Sequence, residues 1–119
     1  MEELVEKFRE VDSGLRLVVA LKSTSWEIQY IRDDLQEQYT DEDFERTYRS
    51  HMANQVSSDD LSHIIQGGRL KGEVYLLEDV IVFQFPSSRY EGFYISYDWT
   101  ESFPIKRVID TATEIPVIE

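Results

Sequence analysis

His51 and His63 are the two histidines of the chain and the side chains on which proton transfer or metal binding near neutral pH would most naturally rest. They stand twelve residues apart, not at the four-residue spacing that sets two imidazoles on one helix face, and no glutamate motif surrounds them. With Asp59 and Asp60 they would make a mixed nitrogen and oxygen ligand set; surface or helix-end histidines are the simpler reading, and no metal site is expected. Carboxylates come in adjacent pairs: Asp33-Asp34, Glu42-Asp43, Asp59-Asp60 and Glu78-Asp79. Glycosidase-type chemistry needs two carboxyls converging on a cleft with separated pKa values, whereas neighbours in turns and at helix starts serve as solvated caps. The serines carry no G-x-S-x-G, and Gly67-Gly68 fits neither G-x-x-x-x-G-K nor G-x-G-x-x-G. No catalytic, cofactor-binding or metal residue is therefore predicted, and the chain reads as a non-enzyme. A cleft holding a histidine or carboxylate of strongly shifted pKa would reopen the question.

The elements that would have to position any site follow from apolar spacing. Leu4, Val5, Phe8 and Val11 recur at helical intervals over Glu2–Val11, with Gly14 suited to a left-handed cap. Leu15–Leu21 is short and β-branched, a strand with Leu15, Leu17, Val19 and Leu21 on one face. Trp26–Ile31 alternates, placing Trp26, Ile28 and Tyr30 together on one side. Arg32–Tyr39 reads as a short helical turn or loop. Thr40 and Asp43 then have capping-box spacing before a helix carrying Phe44, Tyr48 and Met52 inward. A following turn buries Leu61, Ile64 and Ile65 and stops at Gly67-Gly68. Leu70–Leu77 and Val80–Phe85 form a hairpin across Glu78-Asp79, and Gly92–Tyr97 adds a further strand. Pro104 opens a last helix with Ile105, Val108, Ile109 and Ala112 inside; residues 114–119 are a flexible tail. The order α-β-β-α-β-β-β-α predicts one α+β domain over residues 1–119: a five-stranded antiparallel sheet with flanking helices.

Composition sets further limits. The chain has 119 residues and a formal charge of −12, from 24 acidic and 12 basic residues. Only four of the basic residues are lysines (Lys7, Lys22, Lys71 and Lys106). Such a field repels nucleic-acid phosphates and anionic membranes. It is tolerated best in concentrated salt, where the Debye length shrinks to roughly 3 Å at molar ionic strength. The absence of cysteine excludes disulfides, thiolate metal sites and a cysteine nucleophile. No apolar run approaches a membrane span, and the acidic, amphipathic start is unlike a signal peptide, so a cytoplasmic location is expected.

The order of elements resembles the roadblock and profilin-like architecture, which implies the strand order 2-1-5-4-3. Three stretches also resemble a small uncharacterised family of haloarchaeal proteins: YIRDDLQEQYTDEDFERTY (Tyr30–Tyr48), GEVYLLEDVIVFQFP (Gly72–Pro86) and GFYISYD (Gly92–Asp98). The resemblance agrees with salt adaptation and supplies no active-site residues. Roadblock-like domains dimerise and act as scaffolds or regulators of small GTPases, so the resemblance implies a protein partner, here a second copy of the chain.

Two functional surfaces are candidates. The first is a self-association surface on the helix Thr40–Gln55 or the strand Gly72–Leu77, with Tyr48, Met52 and Tyr75 as contacts. The second is a small-molecule sensor pocket between sheet and helix, lined by Trp26, Tyr30, Phe83 and Tyr94. Six aromatics crowd residues 90–103: Tyr90, Phe93, Tyr94, Tyr97, Trp99 and Phe103. They pack under the last helix or offer an exposed platform.

Overall fold

In the computed structural model the described residues are 2–22, 25–50, 65, 66, 68, 71–85 and 92–114. Helix α1 spans Glu2–Val11 and is followed by strands β1, Leu15–Leu21, and β2, Trp26–Ile31. A 3₁₀ turn over Asp33–Leu35 leads to α2, helical from 41 to 50 among the described residues. Strands β3, Glu73–Leu76, β4, Val80–Phe85, and β5, Gly92–Asp98, precede α3, Ile105–Glu114. The five strands form one antiparallel sheet in the order β2-β1-β5-β4-β3. Leu61 and Ile64 lie outside the described residues; Ile65, expected inside, is 63 % exposed.

One face of the sheet carries α1 and α3. Val18, Ala20, Ile81, Phe83, Ile95 and Tyr97 point to it and meet Leu4, Phe8, Phe103 and Val108 in a closed core. Tyr97 ties the sheet to the helix: its hydroxyl donates to the Phe8 carbonyl at 2.7 Å. Burial pushes the Tyr97 phenol pKa well up, so it stays a donor. Most of the aromatic cluster is spent here, since Phe93, Tyr97, Phe103 and the partly buried Trp99 all belong to this core. Tyr90 lies outside the described residues.

Two bulges break the alternation assumed from the sequence. In β1, Leu15 pairs with Tyr97 and Leu17 with Ser96, so Arg16 is an extra residue. Leu15 consequently joins the α1/α3 core, while Leu17, Val19 and Leu21 face α2, and the expected four-residue stripe is split. In β2, Val18 pairs with Tyr30 and Val19 with Ile28, so Gln29 is extra and Tyr30 turns to the α1 side. There the Arg9 guanidinium sits 4.8 Å from its ring centre.

Gly14 is not left-handed, as the sequence had suggested. Its role is close approach: a Cβ there would lie 2.9 Å from Asp12 Oδ2 and 3.3 Å from Asp98 Cβ. The hairpin β3–β4 turns across Glu78-Asp79 as expected, with Leu77 N donating to Val80 O at 2.8 Å. β3 itself is shorter than the run from which it was read.

Candidate functional site

The face opposite α1 and α3 carries α2 and, among the described residues, a groove. α2 reaches it through a capping box. Thr40 N donates to Asp43 Oδ2 at 2.9 Å, and Asp43 N donates to Thr40 Oγ1 at 3.2 Å. The bond from the Thr40 amide, with the Thr40 side chain, holds the Asp43 carboxyl below the usual range, which suits a helix N-terminus. One turn on, Phe44 is buried against Leu17, Val19 and Leu21, with Tyr39 5.7 Å away ring to ring. Tyr48 lies 6.1 Å from the Trp26 ring. These contacts anchor α2 over β1 and β2.

Over β3, β4 and β5 the described residues line a groove of about 380 Å³. Val82 and Gln84 form its floor, Tyr75 and Tyr94 rise on either side of β4, and Arg46 and Ser50 stand on the α2 rim. The floor is mixed in character: Gln84 and Ser96 are the buried polar side chains of this face. Burial raises the Tyr94 pKa, so its hydroxyl is protonated at neutral pH.

Beside the groove, at the C-terminal end of β5, a polar cluster closes the same face. Asp98 accepts from Arg32 Nη1 at 2.6 Å and from Arg16 Nη1 at 3.2 Å. Arg32 also holds Asp34 through Nε at 2.6 Å, and Arg16 Nη2 donates to the Tyr39 hydroxyl at 3.3 Å. Arg16 is the extra residue of the β1 bulge, so the bulge aims this guanidinium across the strand end. Its Nε is buried without a partner. Hydrogen bonds from Arg32, and then from Arg16, hold the Asp98 carboxyl below the ordinary range against the opposing effect of burial. Burial works against the Arg16 charge, but its bonds to Tyr39 and Asp98 more than offset this and raise its pKa.

The residues singled out from sequence are distributed as follows. Trp26 and Tyr94 are on the α2 face, whereas Tyr30 and Phe83 belong to the α1/α3 core. The four therefore do not line one cavity: the Gln29 bulge carries Tyr30 away from Trp26, and Phe83 is one residue out of phase with the groove floor. Tyr48 is half-buried and turned inward against Trp26. Tyr75 is half-buried on the groove, its hydroxyl donating to Glu73 Oε2 at 2.9 Å. Met52, His51, His63, Asp59 and Asp60 lie outside the described residues.

The other carboxylate pairs act as local partners: Asp34 is gripped by Arg32, Asp43 caps α2, and Glu78-Asp79 form the exposed hairpin turn. Among the described residues, no group of three or more His, Asp or Glu side chains is placed to hold a metal, and no helix is long and apolar enough to cross a membrane. Reasoning from sequence missed Arg16, Arg32 and Asp98 as a unit, and Val82 and Gln84 as a floor. It named the strand Gly72–Leu77 as a contact surface through Tyr75 and did not single out the exposed Val74, Leu76 and Leu77.

No curated protein and no solved structure matches the chain. A family model described as a domain of unknown function, DUF7522, matches residues 2–116. That match takes in every element of the sheet and the helices on both of its faces, and the chain belongs to the DUF7522 family.

Proposed function

We propose that this domain is a non-enzymatic, cytoplasmic interaction module that pairs with a second copy of itself through the free edge of β3. The observation that carries the reading is the exposed apolar row on that edge: Val74 is 45 % exposed, Leu76 58 % and Leu77 58 %. Leu77 N points at β4, so by antiparallel alternation the N–H and C=O groups of Val74 and Leu76 point outward. An edge of this kind is a template for another strand unless it is blunted by charge or proline. The opposite edge, β2, is blunted: Glu27 lies on it, bonded to Lys22 and Gln29.

A two-fold register centred on Tyr75 sets Val74 against the partner copy's position 76 and Leu76 against its position 74. The exposed Lys71 then faces the partner copy's position 79, which is an aspartate. Centring on Leu76 instead would set Glu73 against an aspartate, a repulsion that disfavours it. A scaffold role fits carboxylates already engaged by caps and guanidiniums rather than held in a cleft. The charge of −12 argues for protein partners over nucleic acid or membrane, and for operation in concentrated salt.

Light scattering on a sizing column in about 1 M KCl, where surface charge is screened to roughly 3 Å, should give a dimer at high micromolar concentration. Leu76→Lys should give a monomer, and Ile28→Lys on the other edge should leave the dimer intact. A monomeric parent protein at that concentration removes the proposal. The salt requirement is measured alongside: the melting temperature should climb steeply with KCl, and a flat response contradicts it.

A further inference from the structure

We propose that the groove between α2 and strands β3–β5 is a binding site for a small, flat organic anion, an aromatic carboxylate of one or two rings. Tyr75 and Tyr94 stand on the strands either side of β4, paired with Val82 and Gln84 respectively. A ring laid along β4 over Val82 and Gln84 has Tyr75 beside the first and Tyr94 beside the second, on opposite flanks, in reach of offset or edge-on contact. The space, about 380 Å³, is at the small end of the range for ligand sites, which suits one or two rings and not a nucleotide.

Polar groups converge on that space from two directions. The Gln84 amide comes from the floor and the Ser50 hydroxyl from the rim. Arg46 is the single charged residue on the described lining, and a guanidinium offers a carboxylate two parallel donors. The carboxylate of Glu73, the nearest acid along β3, accepts from the Tyr75 hydroxyl and is absent from the described lining. The overall charge of −12 does not reverse this local preference, because the Debye length is about 8 Å at physiological ionic strength and shorter in more salt. The site lies on a sheet face and shares Tyr75 and Leu77 with the β3 edge, while Arg46, Ser50, Val82, Gln84 and Tyr94 lie away from that edge.

The test is a titration of the ¹⁵N-labelled full chain with naphthalene-2-carboxylate, and with the neutral naphthalene-2-carboxamide as control, in about 1 M KCl. Amide shifts should centre on Ser50, Val82, Gln84 and Tyr94, and the carboxylate should bind about tenfold more tightly than the carboxamide. Arg46→Gln should abolish that preference and leave carboxamide affinity unchanged. Ser50→Tyr, at an exposed rim position, should block both compounds with the circular dichroism of the fold intact. Absence of saturable binding by the parent protein, shifts centred elsewhere, or a carboxylate preference that survives Arg46→Gln would each overturn the assignment.

Discussion

The two faces of the sheet share five strands and differ in almost everything else. Toward α1 and α3, β4 and β5 present Ile81, Phe83, Phe85, Phe93, Ile95 and Tyr97, an unbroken apolar layer. Toward α2 the same strands present Val82, Gln84, Tyr94, Ser96 and Asp98, a layer of mixed polarity ending in an ion cluster. Alternation lets one strand serve both. Burial of apolar surface is the dominant favourable term in folding, so stability should concentrate on the first face. The second carries polar side chains within its layer.

This division is open to direct attack. The largest contrast is between neighbours in β4. Phe83→Ala empties a fully buried ring site and should cost about 3–5 kcal/mol, against about 1–2 kcal/mol for Val82→Ala on the groove. Equal costs in denaturant unfolding would mean that the α2 face is as tightly packed as the other. A sharper version uses hydroxyls alone. Tyr97→Phe strands the buried Phe8 carbonyl and should cost about 1–3 kcal/mol, while Tyr94→Phe should cost under about 1 kcal/mol. A larger loss at Tyr94 than at Tyr97 would invert the picture.

The smallest effect belongs to the ion cluster. Asp98 is 43 % exposed, so solvent screening limits its contribution at neutral pH to under about 1 kcal/mol. Its folded pKa is depressed, so that contribution is complete above the ordinary aspartate value of 3.8 and fades as pH falls through the lower folded value. Asp98→Asn should flatten the acid limb of the stability profile and leave its shape above pH about 6 unchanged. An unaltered acid limb would show that the cluster adds nothing to folding.

Period and punctuation made the helices and strands legible, because each carries its own burial pattern: Leu4, Val5, Phe8 and Val11 for α1, and Val80–Phe85 for β4. The capping box of α2 was legible because both partners lie within one turn. The site was not. Asp98 meets arginines 66 and 82 residues away, and nothing local in either segment records that meeting. The bulges were hidden for a related reason. Arg16 and Gln29 are ordinary strand-surface residues, and what makes them extra is the spacing of the strands opposite. Misplacing Tyr30 followed directly, and with it the four-residue pocket.

Gln29 has a consequence for reading related chains. It works like an inserted beat in a two-beat rhythm: before it the large apolar side chains of β2 fall on one parity, after it on the other. A relative that lost the residue at position 29 would restore even time and still set its aromatic opposite Val18, on the α1 layer, because the residue lost is the one that faces no partner in β1. Single-residue gaps in this strand should therefore gather at position 29 and leave the aromatic aligned, and an alignment that spreads them along the rest of the strand has misjudged it.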